Sequence, residues 1–208
     1  MPPVPAPDRP RFAVILAGGS GRRLGDVDKP GLLVAGSTLL DTAIRAVAPA
    51  LTVVVGPPRE LPPGVRQTRE SPAGGGPAAG LVAGLAALAD ALPAPDDLVA
   101  VLAADLPGIS AEAIDELTGA MRTADRTGVV LADPDGRQQY LAGIWRWSAL
   151  RAAAGSRESW HNGRLSDLLG PLIAGVVNAN RTTTADIDTP DDLRRWGGSG
   201  RTHTCGHD

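Results

Sequence analysis

The sequence predicts an α/β sandwich built on a mostly parallel, mixed sheet. Three observations carry that expectation: short solid apolar runs, helical patterns between them, and one turn signal that folds two runs into a hairpin. A run apolar on every residue belongs to a strand buried on both faces, as parallel strands under two helical layers are.

The first run is Phe12–Leu16, followed by glycines. Thr38 and Asp41 are spaced to cap a helix carrying Leu40, Ile44 and Val47 on one face. Thr52–Val55 is the second strand, and the four prolines between Pro57 and Gly64 read as a connection to another. Pro77 suits a first helical position, and Leu81, Leu85, Leu88 and Leu92 follow at helical spacing until Pro93. Leu98–Ala103 is the third buried strand. Ser110 is placed to cap the next helix, with Ile109 and Ile114 as a hydrophobic staple. Asp133-Pro-Asp-Gly136 separates Val129–Leu131 from Tyr140–Trp145, which predicts an antiparallel hairpin and hence a mixed sheet. Thr189-Pro190-Asp191-Asp192 supplies a cap, a first-turn proline and two carboxylates at the positive end of a last helix.

Composition limits the function classes. With 208 residues, 43% apolar and 21% charged, the chain has material for one sizeable core. The net charge of -3 argues against a general nucleic-acid binder, which needs a basic excess to neutralise phosphates. No apolar stretch approaches the ~20 residues that span a bilayer. A lone cysteine, Cys205, offers no intrachain disulfide and fits a reducing compartment. The Pro-rich stretch from Met1 to Pro10 lacks the pattern of a secretory signal, so a cytoplasmic location is expected, without nucleic acid or membrane as partner. Residues 1–11 and 198–208 are expected to be a disordered and a flexible tail around one domain, 12–197.

The ligand crevice of an open α/β sheet lies beyond the carboxyl ends of its strands. After the first strand comes Leu16-Ala-Gly-Gly-Ser-Gly-Arg-Arg-Leu-Gly-Asp-Val-Asp-Lys29-Pro. Gly18, Gly19 and Gly21 allow backbone N–H groups to converge on a phosphate chain, and Arg22, Arg23 and Lys29 add positive charge. Of the 20 basic residues, Lys29 is the single lysine. The P-loop pattern does not fit, because Pro30 follows Lys29 and no glycine precedes it. The dinucleotide pattern fails at Leu24, and Pro30 would break its helix.

Asp105 lies just past the third strand. There it can either close its own turn or, with a triphosphate, hold Mg²⁺, which takes one or two carboxylates and completes its shell with phosphate oxygens and water. Asp186 and Asp188 share one face of an extended stretch, either as acids favoured at a helix N-terminus or, for Asp188, as a second Mg²⁺ contact. Gly74–Gly80 is a second glycine-rich loop, preceded by Glu70, suited to close approach of a base. His161 reads as a surface histidine or a general base. His203, Cys205 and His207 are only three candidate ligands on a flexible end, and no metal site is expected there. Trp145, Trp147 and Trp160 fit core, interface or ligand-side surface equally.

The loop from Leu16 to Lys29 resembles the signature loop of nucleotidyltransferases of the molybdenum cofactor guanylyltransferase family. Gly76-Pro-Ala-Ala-Gly80, Ala-Ala-Asp105-Leu-Pro, Tyr140-Leu-Ala-Gly and Asp186-Ile-Asp-Thr-Pro-Asp-Asp-Leu193 follow in that family's order. The resemblance implies a Rossmann-like three-layer α/β/α sandwich that joins GMP from GTP to a molybdopterin-type acceptor with Mg²⁺, releasing pyrophosphate. It also implies passing contacts with other proteins of cofactor biosynthesis. Carried over by position, Leu16, Ala17, Gly18, Gly19, Lys29, Glu70, Gly80 and Asp105 would bind the nucleotide. Lys29, Arg22 and Asp105 would serve catalysis, and Asp105, with Asp188, the metal. The family often has Asn where this chain has Asp186 and Asp188, and Asp at Glu70, which leaves CTP as an alternative nucleotide. Other readings are transfer to another small phosphate acceptor and a nucleotide-binding module without catalysis.

Overall fold

The structure, a computed structural model, describes residues 9–18, 28–122, 126–197 and 199–202. Strand β1 (Phe12–Leu16) is buried at every residue and pairs in parallel with β4 (Leu51–Val55) on one side and β6 (Leu98–Ala103) on the other. Beyond β4 lies β5 (Arg66–Thr68), also parallel. Beyond β6 come β8 (Gln138–Arg146), β7 (Gly128–Ala132) and β9 (Gly175–Asn178). Of these seven strands only β8 runs against the rest, being antiparallel to both β6 and β7. The expected hairpin is therefore present. Its turn closes through Gly136 N–H to the Asp133 carbonyl at 2.9 Å, with Gly136 at φ +80°, a backbone region glycine enters without steric cost.

Alternation along the strands feeds two cores. Ala13 and Ile15 of β1 point to one face, packed under α1 (Leu39–Val47) and α3 (Ala111–Met121). Phe12, Val14 and Leu16 point to the other, under α2 (Gly76–Ala89), α4 (Trp147–Ala154) and α5 (Leu165–Leu169). Two helical layers around one sheet make the three-layer sandwich. Each fully buried Leu, Ile or Val contributes ~1.5–3 kcal/mol, so these two cores dominate the stability. Among the described residues no helix is long and apolar enough to cross a membrane.

The helix starts follow their caps. Thr38 accepts from Asp41 N–H at 3.0 Å, and Ser110 from Ala113 N–H at 3.4 Å. Ile109 and Ile114 both lie in the first core. One expectation is corrected. The leucine series does not carry its helix to Leu92: α2 ends at Ala89, and Leu92 is 87% exposed at φ +51°. Pro93 bars its predecessor from the right-handed helical region, so the last leucine of the series leaves the helix.

A small second sheet, order β10 (Ser199–Thr202), β2 (Leu32–Val34), β3 (Ser37–Thr38), sits beside the carboxyl end of the main one. Its β2–β3 turn uses Ala35 and Gly36, both at positive φ, the backbone that a two-residue hairpin requires. Leu32, Val34 and Leu39 form a third core with Ile187 and with Leu193 of α7 (Pro190–Arg195). The main sheet and this small core together position the site.

Candidate functional site

The carboxyl ends of β1, β4 and β6 converge. Ala17 N–H donates to the Val55 carbonyl at 2.8 Å, and Ala104 N–H to the Leu16 carbonyl at 3.0 Å. Sheet pairing thus continues for one residue past β1 and β6, bringing Leu16, Ala17 and Gly18 alongside the segment that holds Asp105. Gly56 permits this approach: a Cβ there would stand 2.7 Å from the Ala17 carbonyl oxygen. Gly19, Arg22 and Arg23 fall outside the described residues, as do His203, Cys205 and His207.

Lys29 opens a short 3₁₀ turn, Lys29–Gly31, whose Pro30 is buried. Its ammonium donates to Asp188 Oδ1 at 2.5 Å, across 159 residues of sequence. Asp188 is directed there by its neighbours on both sides. Ile187 is fully buried in the third core, and its N–H donates to the Asp105 carbonyl at 3.2 Å. On the other side a capping box starts α7: Asp192 N–H donates to Thr189 Oγ1, while Asp192 Oδ2 accepts from the Thr189 N–H. The alternation expected for Asp186 and Asp188 is realised, with Ile187 inward between them.

Asp105 is the electrostatic centre of the group. Burial pushes its carboxyl above the ordinary carboxylate range; the Lys29 ammonium pulls it back, while Asp186 and Asp188 push it further up. Lys29, Asp105, Asp186 and Asp188 therefore share one local field. Among the described residues no three His, Cys, Asp or Glu side chains form a cluster able to hold a metal alone. Asp105 with Asp188 offers hard oxygen donors in the number that Mg²⁺ takes from protein when phosphates complete its shell, so the residues fit that ion.

The second glycine-rich loop reaches the same edge of the sheet. Glu70 Oε1 accepts from Gly74 N–H at 2.9 Å, which folds the loop back before α2. Gly80, in the second turn of α2, is buried against Leu16 and Val55; a Cβ would meet their side chains at 3.7 and 3.6 Å. His161 is exposed, yet it sits over this loop: a Cβ on Gly75 would be 2.9 Å from its Nδ1, and Asn162 N–H donates to the Gly75 carbonyl at 2.7 Å. The tryptophans left open by the sequence are core: Trp145, Trp147 and Trp160 are all buried.

Sequence reasoning passed over Arg59 and Asp28. Arg59 lies in the proline-rich connection after β4, and its guanidinium returns over the end of β1 to Asp28, at 3.1 Å, and to the Ala17 carbonyl, at 3.4 Å. A cation following the carboxyl end of a buried strand was the available signal.

Fold and enzyme class are those of the nucleotidyltransferases. The MobA-like NTP transferase domain matches residues 13–174, and the chain belongs to that family. It is 32% identical over 190 residues to a probable molybdenum cofactor guanylyltransferase of Mycobacterium ulcerans (strain Agy99), covering 85% of this chain and 91% of the relative. It is 35% identical over 138 residues to a molybdenum cofactor guanylyltransferase of Bradyrhizobium sp. (strain ORS 278); there the match spans 64% of either chain. The crystal structure of molybdopterin-guanine dinucleotide biosynthesis protein A from Archaeoglobus fulgidus superposes with a TM-score of 0.65 at 21% identity, over 89% of this chain and 96% of the other.

Proposed function

We propose that this protein transfers GMP from GTP to a molybdopterin-type acceptor and releases pyrophosphate, in a reaction that uses Mg²⁺. The observation that carries the reading is the convergence of Lys29 and Asp105, from segments 76 residues apart, at the carboxyl edge of the sheet beside Ala17 and Gly18. Guanylyl transfer to the molybdenum cofactor is what the relatives' names state of them, and that supports the specificity proposed for this chain.

The chemistry asks little covalent work of the protein. A terminal phosphate oxygen of the acceptor attacks the α-phosphorus of GTP; that P–O bond forms as the bond to the β-phosphate oxygen breaks and pyrophosphate leaves. An anionic phosphate is already a competent nucleophile, so alignment and charge neutralisation are the main tasks. The backbone amides after β1, with Gly18, Gly19 and Arg22, cradle the phosphates. Lys29 sets its ammonium against them, steered by Asp188. Asp105 and Asp188 would hold Mg²⁺, which when bound neutralises charge building on the pyrophosphate. Leu16, Ala17, Glu70 and Gly80 line the place of the nucleoside. The protein acts as one domain, which includes Ser199–Thr202 of the expected C-terminal tail because that strand pairs with β2, in the cytoplasm, and meets other proteins of cofactor biosynthesis only in passing.

Pyrophosphate release tests this directly, measured with GTP or CTP and with or without molybdopterin. Release that requires GTP and molybdopterin is expected. Equal release with CTP overturns the base assignment. Stabilisation by GTP, ~2.7 kcal/mol at a hundredfold its Kd, without any release would make the protein a binding module instead.

A further inference from the structure

Arg59 is held more tightly than a surface arginine. Its side chain is only 13% exposed. Gln67 of β5 fixes the approach, accepting from Arg59 N–H at 3.2 Å and donating to the Pro57 carbonyl at 2.5 Å. The guanidinium meets both oxygens of the Asp28 carboxylate, Nη1 to Oδ2 at 3.2 Å and Nη2 to Oδ1 at 3.1 Å. Nη2 also donates to the Ala17 carbonyl at 3.4 Å, while Nε is buried and has no partner among the described residues. A two-oxygen contact of this kind sets orientation as well as distance, which a lysine there would not do.

Asp28 is the residue from which the turn bearing Lys29 starts. Its carboxylate also needs the glycine at 31, where a Cβ would lie 2.6 Å from Oδ2. Lys29 is thus strapped from two directions: through Asp28 to Arg59 on the β4–β5 side, and through its own ammonium to Asp188 on the C-terminal side. We infer that Arg59 is a positioning residue: through Asp28 it fixes Lys29, relative to Ala17 at the end of β1, in the place where the ammonium meets nucleotide phosphate. The inference rests on the nucleotide reading given above.

Its signature is dependence on Lys29. GTP affinity is measured with Mg²⁺ for the full chain, for Arg59→Ala, for Lys29→Ala and for the double variant. Ligand-induced shift of the thermal midpoint up to millimolar GTP captures weak binding. Arg59→Ala is expected to weaken GTP binding at least tenfold when Lys29 is present and less than twofold when it is absent, with the ligand-free midpoint close to that of the unsubstituted chain. Equal weakening in both backgrounds would make Arg59 an independent phosphate contact, and no weakening would make it structural; either overturns the proposal. If Arg59→Ala does not fold, Asp28→Asn, which leaves the arginine in place, is judged by the same criterion. Failure of the unsubstituted chain to bind GTP removes the nucleotide reading itself, whereas normal binding with the wrong pattern among the variants removes this inference alone.

Discussion

Nζ of Lys29 lies 2.5 Å from Oδ1 of Asp188, joining the segment that follows β1 to the residue just before the cap of α7. The partners are 17% and 38% exposed, so the pair is worth at most ~1 kcal/mol to the fold and matters chiefly for where it directs the ammonium. Asp188→Ala is expected to raise the KM for GTP about tenfold, equivalent to ~1.4 kcal/mol, with less than ~1 kcal/mol lost in denaturant unfolding.

Asp105 places function against stability. Its carboxyl is raised above the ordinary value of 3.8, chiefly by burial, so the charged form opposes folding. The sign follows by linkage: its favourable contribution is complete below 3.8 and is lost as pH rises through the higher value of the folded state. Asp105→Asn is expected to raise the thermal midpoint at pH 7 and to lose that advantage below 3.8, while pyrophosphate release falls about 10²-fold or more. Midpoints measured across pH decide this; a lower midpoint at pH 7 contradicts it.

The capping box at Thr189 holds the other side of the site. Asp192 is lowered, chiefly by the Thr189 hydroxyl, so its stabilisation is present above 3.8 and is lost as pH falls through the folded value. Thr189→Ala is expected to cost ~1 kcal/mol in urea unfolding at pH 7 and less at acid pH.

Gly56 controls how closely β4 approaches the end of β1. With Ala17 backbone atoms 2.7 and 2.9 Å from where a Cβ would stand, Gly56→Ala must displace main chain at the end of β1, where the nucleotide is proposed to bind. A destabilisation of ~1–3 kcal/mol, as for overpacked sites, with weaker GTP binding is expected from combined melting and titration.

The sequence is legible where local patterns coincide with the tertiary outcome. Phe12–Leu16, Leu98–Ala103 and, apart from Thr52 itself, Thr52–Val55 are solid apolar runs because both faces of their sheet are covered, and caps at Thr38, Ser110 and Thr189 fix helix starts within one turn. Asp105 and Lys29 could be placed together because the rule of parallel sheets sends both segments to one edge. Strand β5, Arg-Gln-Thr, carries no apolar signal, since its partner β4 supplies the pairing and its side chains are largely exposed. The small sheet rests on short strands, too brief for any period to register. Leu92 keeps the helical spacing but loses the helix to Pro93. Arg59 was hidden because its partners, Ala17 and Asp28, lie 42 and 31 residues away and meet it only through the fold.

The most direct test of the account is molybdopterin-dependent pyrophosphate release from GTP by the unsubstituted chain and by Lys29→Ala. The account predicts a loss of at least about 10²-fold with the fold intact, because the chain's single lysine, proposed to sit against the phosphates, is gone. Release by Lys29→Ala at the rate of the unsubstituted chain would contradict it.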